Sequence, residues 1–174
     1  MMPMTRRERV RCALNHQEPD RIPVDLGGRV TSIHVQAYQN LTHHLGLTLP
    51  EPQLDPFFSV MNPHPTLLEA LGTDFQYLFM QGPEYRRLRT LTDDEYENEW
   101  GIRVKVVGIH SQRIGHPLEH ATLADLSTYP WPRPDGPGRV FGLRSLASQL
   151  YETSDYALVA APVSGGIFEF GQHL

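Results

Sequence analysis

The sequence predicts an α/β protein made of parallel strand–helix units, and three observations carry that prediction. Apolar runs at 21–26, 74–79 and 156–161 are short, bounded by turn residues and without helical period. Helical patterns separate them, and strands that alternate with helices form parallel sheets with the helices as crossovers. Between them, from Glu84 to about His116, the texture changes: Gly101-Ile102-Arg103-Val104-Lys105-Val106-Val107 alternates and then turns fully apolar, as in a β-hairpin excursion. Three parallel strands are too few for a closed barrel, which takes eight strands and roughly 250 residues.

Each element has a local reason. Thr5 with Glu8 three residues later is a capping-box pattern, and Val10, Ala13 and Leu14 share one face of the helix it opens. Gln17-Glu18-Pro19-Asp20 ends that helix, because proline disfavours helix in the residue before it. Arg21 to Leu26 reads as a short buried strand, weakened by Pro23, and Gly27-Gly28 follows as a tight turn. From Ser32 to Leu45, Ile33, Ala37, Leu41 and Leu45 recur every four positions, an amphipathic helix closed by Gly46. A proline-rich loop through Pro50, Pro52, Pro56, Pro63 and Pro65 leads to a short helix, Thr66 to Leu71, ended by Gly72. Asp74 to Phe79 is the second strand. After the excursion, Thr122 and Asp125 open another short helix, and Tyr129 to Gly138 is an ordered loop. A longer helix is expected from about Arg139 to Glu152, with Leu143, Leu146, Ala147 and Leu150 as its stripe. Tyr156 to Ala161 is the third strand, ending at Pro162-Val163-Ser164-Gly165-Gly166.

Composition narrows the function classes. The chain has 174 residues, 40% of them apolar, enough for one domain with a core. No run approaches the ~20 apolar residues of a membrane helix, and the first residues lead into charge, so a cytoplasmic protein without membrane contact is expected. A net charge of -5 disfavours nucleic acid as the main partner. Cys12 is the sole cysteine, so no internal disulfide forms and no thiolate metal site is built from this chain. Lys105 is the only lysine; arginine holds carboxylates bidentately and would suit a polyacidic substrate, although coding bias is the plainer and preferred account. The run Arg86-Arg87-Leu88-Arg89 reads as a solvated loop or, less simply, an anion site.

Several blocks together resemble the uroporphyrinogen decarboxylase (URO-D) superfamily. They are Thr5-Arg6-Arg7-Glu8-Arg9-Val10 with Ala13 through Asp25, Thr31 through Tyr38, and Leu71-Gly72-Thr73-Asp74-Phe75. Glu99-Trp100-Gly101-Ile102, His116-Pro117-Leu118 and Thr122-Leu123-Ala124-Asp125-Leu126 with Tyr129-Pro130-Trp131-Pro132 follow in the same order. The resemblance implies a single (β/α)8 TIM barrel about twice this length. The chain, 1–174, would then be an incomplete barrel: the first three β/α units plus the hairpin insertion, with the C-terminal half absent. The family includes cofactor-free decarboxylases (lyases) of porphyrin biosynthesis and corrinoid-dependent methyltransferases that use zinc to activate a thiol. The decarboxylases carry an arginine-rich loop, Met-Arg-Gln-Ala-Gly-Arg, that grips substrate carboxylates. Here the equivalent stretch is Val24 to Ser32, with Arg29 alone, so the chain resembles the methyltransferase-like branch more. That branch takes its zinc ligands, a His and two Cys, from the second half, and Cys12 matches none. Zinc and a corrinoid therefore belong to the full-length relative, and this chain holds no cofactor of its own. The chain departs from the family at Phe170-Gly171-Gln172-His173-Leu174. A fragment of this kind is expected to be inactive alone. Its partners would be a porphyrinogen or methyl-corrinoid, and either a second-half chain or another copy through the open third strand.

Candidate residues follow from the barrel, whose active mouth lies at the C-terminal ends of its strands. Asp25, at the end of the first strand, is the catalytic candidate: it could accept hydrogen bonds from pyrrole N–H groups or stabilise a developing positive charge, or else simply order the Gly27-Gly28 turn. Gly27, Gly28, Arg29 and His34 are substrate-binding candidates beside it, His34 being alternatively a solvated residue at a helix start. Ser164, Gly165 and Gly166 could offer backbone N–H groups to a ligand carboxylate or form a plain turn, and Glu169 lies just beyond. His116 and His120 have metal-like i, i+4 spacing, but Pro117 argues against a helix there and no third ligand is near. His43-His44 suits a helix C-terminus, Asp74 falls on the stability face, and Trp131 is expected against the barrel wall.

Overall fold

The computed structural model describes residues 3–28, 30–50, 54–55, 60–81, 89–108, 110–161 and 167–174. The chain divides into two compact units, the first comprising Met1–Asp55, Val60–Phe79 and Gly142–Ala161, the second Pro56–Ser59, Met80–Phe141 and Pro162–Leu174.

In the first unit, α1 (Arg6–Leu14) begins with the expected capping box. The Thr5 hydroxyl accepts from the Glu8 N–H, and the Glu8 carboxylate accepts from the Thr5 N–H at 2.9 Å. Of the expected apolar face only Val10 is buried, and Leu14 is 74% exposed. Arginines dock this helix instead. Arg6 reaches Asp155 and Glu69, both at 2.7 Å, and the Thr73 carbonyl at 3.0 Å. Arg7 donates to the Tyr156 carbonyl, and Arg9 pairs with Asp20 and Asp74.

Residues 21–26 do not form the expected strand. Pro23 has no N–H, and the Val24 N–H goes to the Asp74 carboxylate at 2.7 Å rather than to a neighbouring backbone. A single backbone bond, Asp74 N–H to the Val24 carbonyl at 2.8 Å, lays the segment alongside the next strand.

Helix α2 (Val35–His44) starts three residues later than its pattern suggests, with His34 as N-cap. Its buried face is rotated from the expected one: Tyr38 and Thr42 are inside, while Ala37 and Leu45 are exposed. Tyr38 meets Leu67 at the centre of a cluster ringed by Ile33, Val35, Leu41, Leu47, Leu49 and Leu71. Gly46 takes the left-handed conformation (φ 65°) that closes the helix, and His43 and His44 lie in its last turn, where the dipole favours them. Two-residue strands β1 (Leu54–Asp55) and β2 (Val60–Met61) pair antiparallel within the proline-rich stretch.

Helix α3 (Pro65–Ala70) has proline in its first turn and His64 as N-cap. Strand β3 (Phe75–Leu78) pairs parallel with a later strand, Ala157–Ala160, in the register Phe75–Ala157 through Leu78–Ala160. The pairing is parallel, joining the second and third of the apolar runs.

The second unit holds the excursion, which is larger than a hairpin. Strands β4 (Arg89–Thr90), β5 (Glu95–Glu97), β6 (Arg103–Val107) and β7 (His110–Gly115) form a four-stranded antiparallel sheet in sequence order. Ile102 and Val104 are its buried core, and Asn98 shapes the β5–β6 turn by accepting from the Trp100 and Ile102 N–H groups. Arg89 pairs with Glu97; Arg86 to Leu88 lie outside the described residues. The short α4 (Leu123–Thr128) carries the expected Thr122–Asp125 capping box. Trp131 packs edge-on against Tyr129 and Trp100 and donates its ring N–H to the Leu126 carbonyl, so its neighbours are local aromatics rather than a barrel wall. Arg139, expected to open the long helix, is instead buried in a turn, where it holds Glu99 through its two terminal guanidinium nitrogens and donates from Nε to the Arg133 carbonyl.

The long helix, α5 (Leu143–Thr153), returns the chain to the first unit and begins at Gly142, whose φ of 72° cannot continue a helix backwards. It is followed by β8 (Ala157–Ala160). In the second unit, α6 (Ile167–His173) follows. Among the described residues no helix is long and apolar enough to cross a membrane.

Candidate functional site

The first unit brings Asp25, Gly27 and Gly28 together with Tyr77 and Thr31. Asp25 follows the Val24 anchor, so the same contact that prevents a regular strand fixes where its side chain begins. Tyr77, third residue of β3, donates its phenolic O–H to Asp25 Oδ2 at 2.7 Å. Asp25 Oδ1 is buried and has no hydrogen-bond partner among the described residues. A buried polar atom left unpaired costs about 1–3 kcal/mol, more when charged, so this oxygen is the group a ligand's donor would satisfy.

The two glycines are needed for different reasons. Gly27 has φ 115°, a region L side chains rarely adopt. At Gly28 a Cβ would lie 2.6 Å from Tyr77 Cζ and 2.7 Å from Thr31 Oγ1, so any side chain would push the ring off Asp25. The Gly28 N–H donates to Thr31 Oγ1 at 3.0 Å. Tyr77 holds its proton more tightly than an ordinary tyrosine, first because it is buried and then because the Asp25 carboxylate disfavours a phenolate.

The other expected residues fare differently. His34 is the N-cap of α2: its Nδ1 accepts from the Gln36 N–H at 3.2 Å. Glu169 belongs to the second unit, exposed in the first turn of α6. Arg29, Ser164, Gly165 and Gly166 lie outside the described residues. Cys12 is a free thiol in α1, and no three His, Cys, Asp or Glu side chains converge as metal ligands among the described residues. Tyr77 is the residue the sequence reading missed. A signal existed: a buried tyrosine usually finds a partner for its hydroxyl, and Tyr77 stands in a predicted strand.

Asp74 is a foundation for the site. It is fully buried and accepts from Arg9 at 2.5 Å, from Arg21 at 2.6 and 2.9 Å, and from the Val24 N–H at 2.7 Å. Burial raises its pKa, but the Val24 N–H and the two guanidinium groups outweigh that and hold it below the usual carboxylate range.

No known family model matches this chain, and neither does any curated protein or solved structure.

Proposed function

We propose that the chain is the substrate-facing front part of a URO-D-type (β/α)8 barrel, of the branch that moves methyl groups between a corrinoid and a thiol, working in the cytoplasm. The observation that carries the reading is the Asp25 carboxylate, tied to Tyr77 by one oxygen while the other is buried and, among the described residues, without a partner. Such a group binds a ligand by accepting a hydrogen bond and by stabilising nearby positive charge. On a corrinoid the donor would be an amide N–H of the macrocycle's side chains; on a porphyrinogen it would be a pyrrole N–H.

Two observations favour the methyl-transferring branch. Only Arg29 stands where the decarboxylases carry their arginine-rich loop. Arg6, Arg9 and Arg21, gathered around Asp74, Asp20, Glu69 and Asp155, are committed to the chain's own carboxylates. Among the described residues of the first unit, these three arginines are therefore not free to hold a polycarboxylate. The zinc that this branch uses on its thiol finds no fitting donor set in these residues: Cys12 is the sole cysteine, and no ligand cluster forms among the described residues. These residues bind and orient a substrate without activating a thiol, and the chain alone is expected to show no turnover.

A second reading, a non-catalytic half-barrel that pairs with another chain, has its own support. Among the described residues β8 is hydrogen-bonded to β3 alone, which leaves one strand edge open.

Calorimetric titration of the purified chain with methylcobalamin and, separately, with reduced uroporphyrinogen tests the choice. Methylcobalamin should bind, and Asp25→Ala should weaken it roughly tenfold or more, the loss of one hydrogen bond to a charged group at about 1.5–3 kcal/mol. Uroporphyrinogen binding in its place would move the assignment to the decarboxylases. Binding of neither, with a dimer in sedimentation, would favour the half-barrel.

A further inference from the structure

The segment that carries Asp25 is held by polar contacts far more than by its apolar side chains. Ile22 is 83% exposed and Val24 43% exposed, so burying them contributes little. Pro23 has no N–H to offer. The contacts that tie the segment down converge on Asp74, just before β3. The Val24 N–H and Arg21 Nη1 both donate to Asp74 Oδ2, at 2.7 and 2.6 Å, and Arg21 Nη2 donates to Oδ1 at 2.9 Å. The other terminal N–H groups of Arg21 meet backbone: Nη2 donates to the Gly72 carbonyl at 3.0 Å, and Nη1 to the Ile22 carbonyl of its own segment at 3.1 Å. One guanidinium thus joins the segment, the turn after α3 and the buried carboxylate. It does so with a planar fork of donors that an ammonium group cannot reproduce.

We infer that Arg21 is a positioning residue for Asp25: it fixes the backbone on which the carboxylate stands, and so sets that carboxylate against the Tyr77 phenol. The inference rests on the reading of Asp25 as a ligand-binding group and adds to it a residue that acts four positions earlier in the chain. The arrangement separates position from stability. The Arg21 side chain is 41% exposed, so its removal costs the fold little, and Val24 keeps its own bond to Asp74. The segment between them, with so little apolar surface buried, is then free to shift and to carry Asp25 off the phenol.

The test uses the whole chain labelled with 13Cγ-aspartate and needs no ligand for its first readout. The Asp25 resonance is assigned by its loss in Asp25→Asn. Tyr77→Phe removes the phenolic donor outright and marks where the signal of an Asp25 carboxylate without Tyr77 falls. In Arg21→Ala the Asp25 signal should move toward that mark, and in Arg21→Lys it should lie between the mark and wild type. A merely structural arginine would lower the urea midpoint and leave the Asp25 signal of the folded chain in place, and that result overturns the inference. If Arg21→Ala fails to fold, Arg21→Lys decides: an intermediate signal supports the inference and the wild-type position overturns it. Methylcobalamin titrations separate the two ideas. Arg21→Ala should weaken binding by up to the roughly tenfold expected of Asp25→Ala. If the Asp25 signal moves as stated but Arg21→Ala and Asp25→Asn bind methylcobalamin as wild type does, the positioning role stands and the functional reading falls. If binding depends on Asp25 while the signal stays put in Arg21→Ala, the positioning role falls and the functional reading stands.

Discussion

Replacing Asp74 with alanine removes the acceptor of four charge-assisted hydrogen bonds at 2.5–2.9 Å: one from Arg9, two from Arg21 and one from the Val24 N–H. The three donors suffer unequally. Arg21 is 41% exposed and returns to water at little cost. Arg9 is only 7% exposed, but it keeps Asp20, to which Nε and Nη2 already donate at 2.6 and 3.0 Å. The Val24 N–H loses its acceptor outright. Stripping one partner from a buried ion pair typically costs ~3–5 kcal/mol, and the retained Asp20 contact puts this case at the low end, about 3 kcal/mol. Asp74→Asn, which keeps the shape and one carbonyl acceptor, should cost about 2 kcal/mol. In urea denaturation followed by circular dichroism, with a slope of roughly 2 kcal/mol/M, the alanine variant should unfold about 1.5 M earlier than wild type. Both variants lying within about 0.5 kcal/mol of wild type would mean that the guanidinium groups rehydrate freely and that Asp74 does not hold this region together.

Three further outcomes follow from the same physics. The pKa of Asp74 is lowered on folding, so its contribution is present above the unfolded value near ~4 and is lost as pH falls below it; urea midpoints at pH 7, 4 and 3 should drop in wild type and drop less in Asp74→Asn. Gly28→Ala places a Cβ 2.6 Å from Tyr77 Cζ and should cost ~1–3 kcal/mol while releasing the phenol from Asp25, visible as a fall in the Tyr77 ionisation midpoint. Glu99→Ala strands the buried Arg139 guanidinium and should cost about 3 kcal/mol, read by tryptophan fluorescence from the neighbouring Trp100.

What the sequence disclosed is what local chemistry decides. Thr5 with Glu8 and Thr122 with Asp125 cap their helices, and Gly46 and Gly72 end theirs with positive φ, all within a few residues of chain. Contacts from far along the chain decided the rest. The 21–26 run has the apolar content of a strand, but the carboxylate of Asp74 takes the Val24 N–H across 50 residues, and no local pattern announces that. The arginine preference, readable as coding bias, is used in α1 to hold Asp155, Glu69, Asp20 and Asp74 where an apolar stripe would ordinarily pack. The site was half legible. Asp25 before two glycines marks a turn, whereas Tyr77, 52 residues away, is joined to it only by the fold.

On the proposed function, a ligand's donor docks at Asp25 Oδ1. The most direct measurement is the 13Cγ chemical shift of each aspartate as methylcobalamin is added to the labelled chain. The Asp25 signal should move in proportion to occupancy while that of the buried Asp74 stays fixed. Binding that leaves the Asp25 signal unmoved would contradict the account.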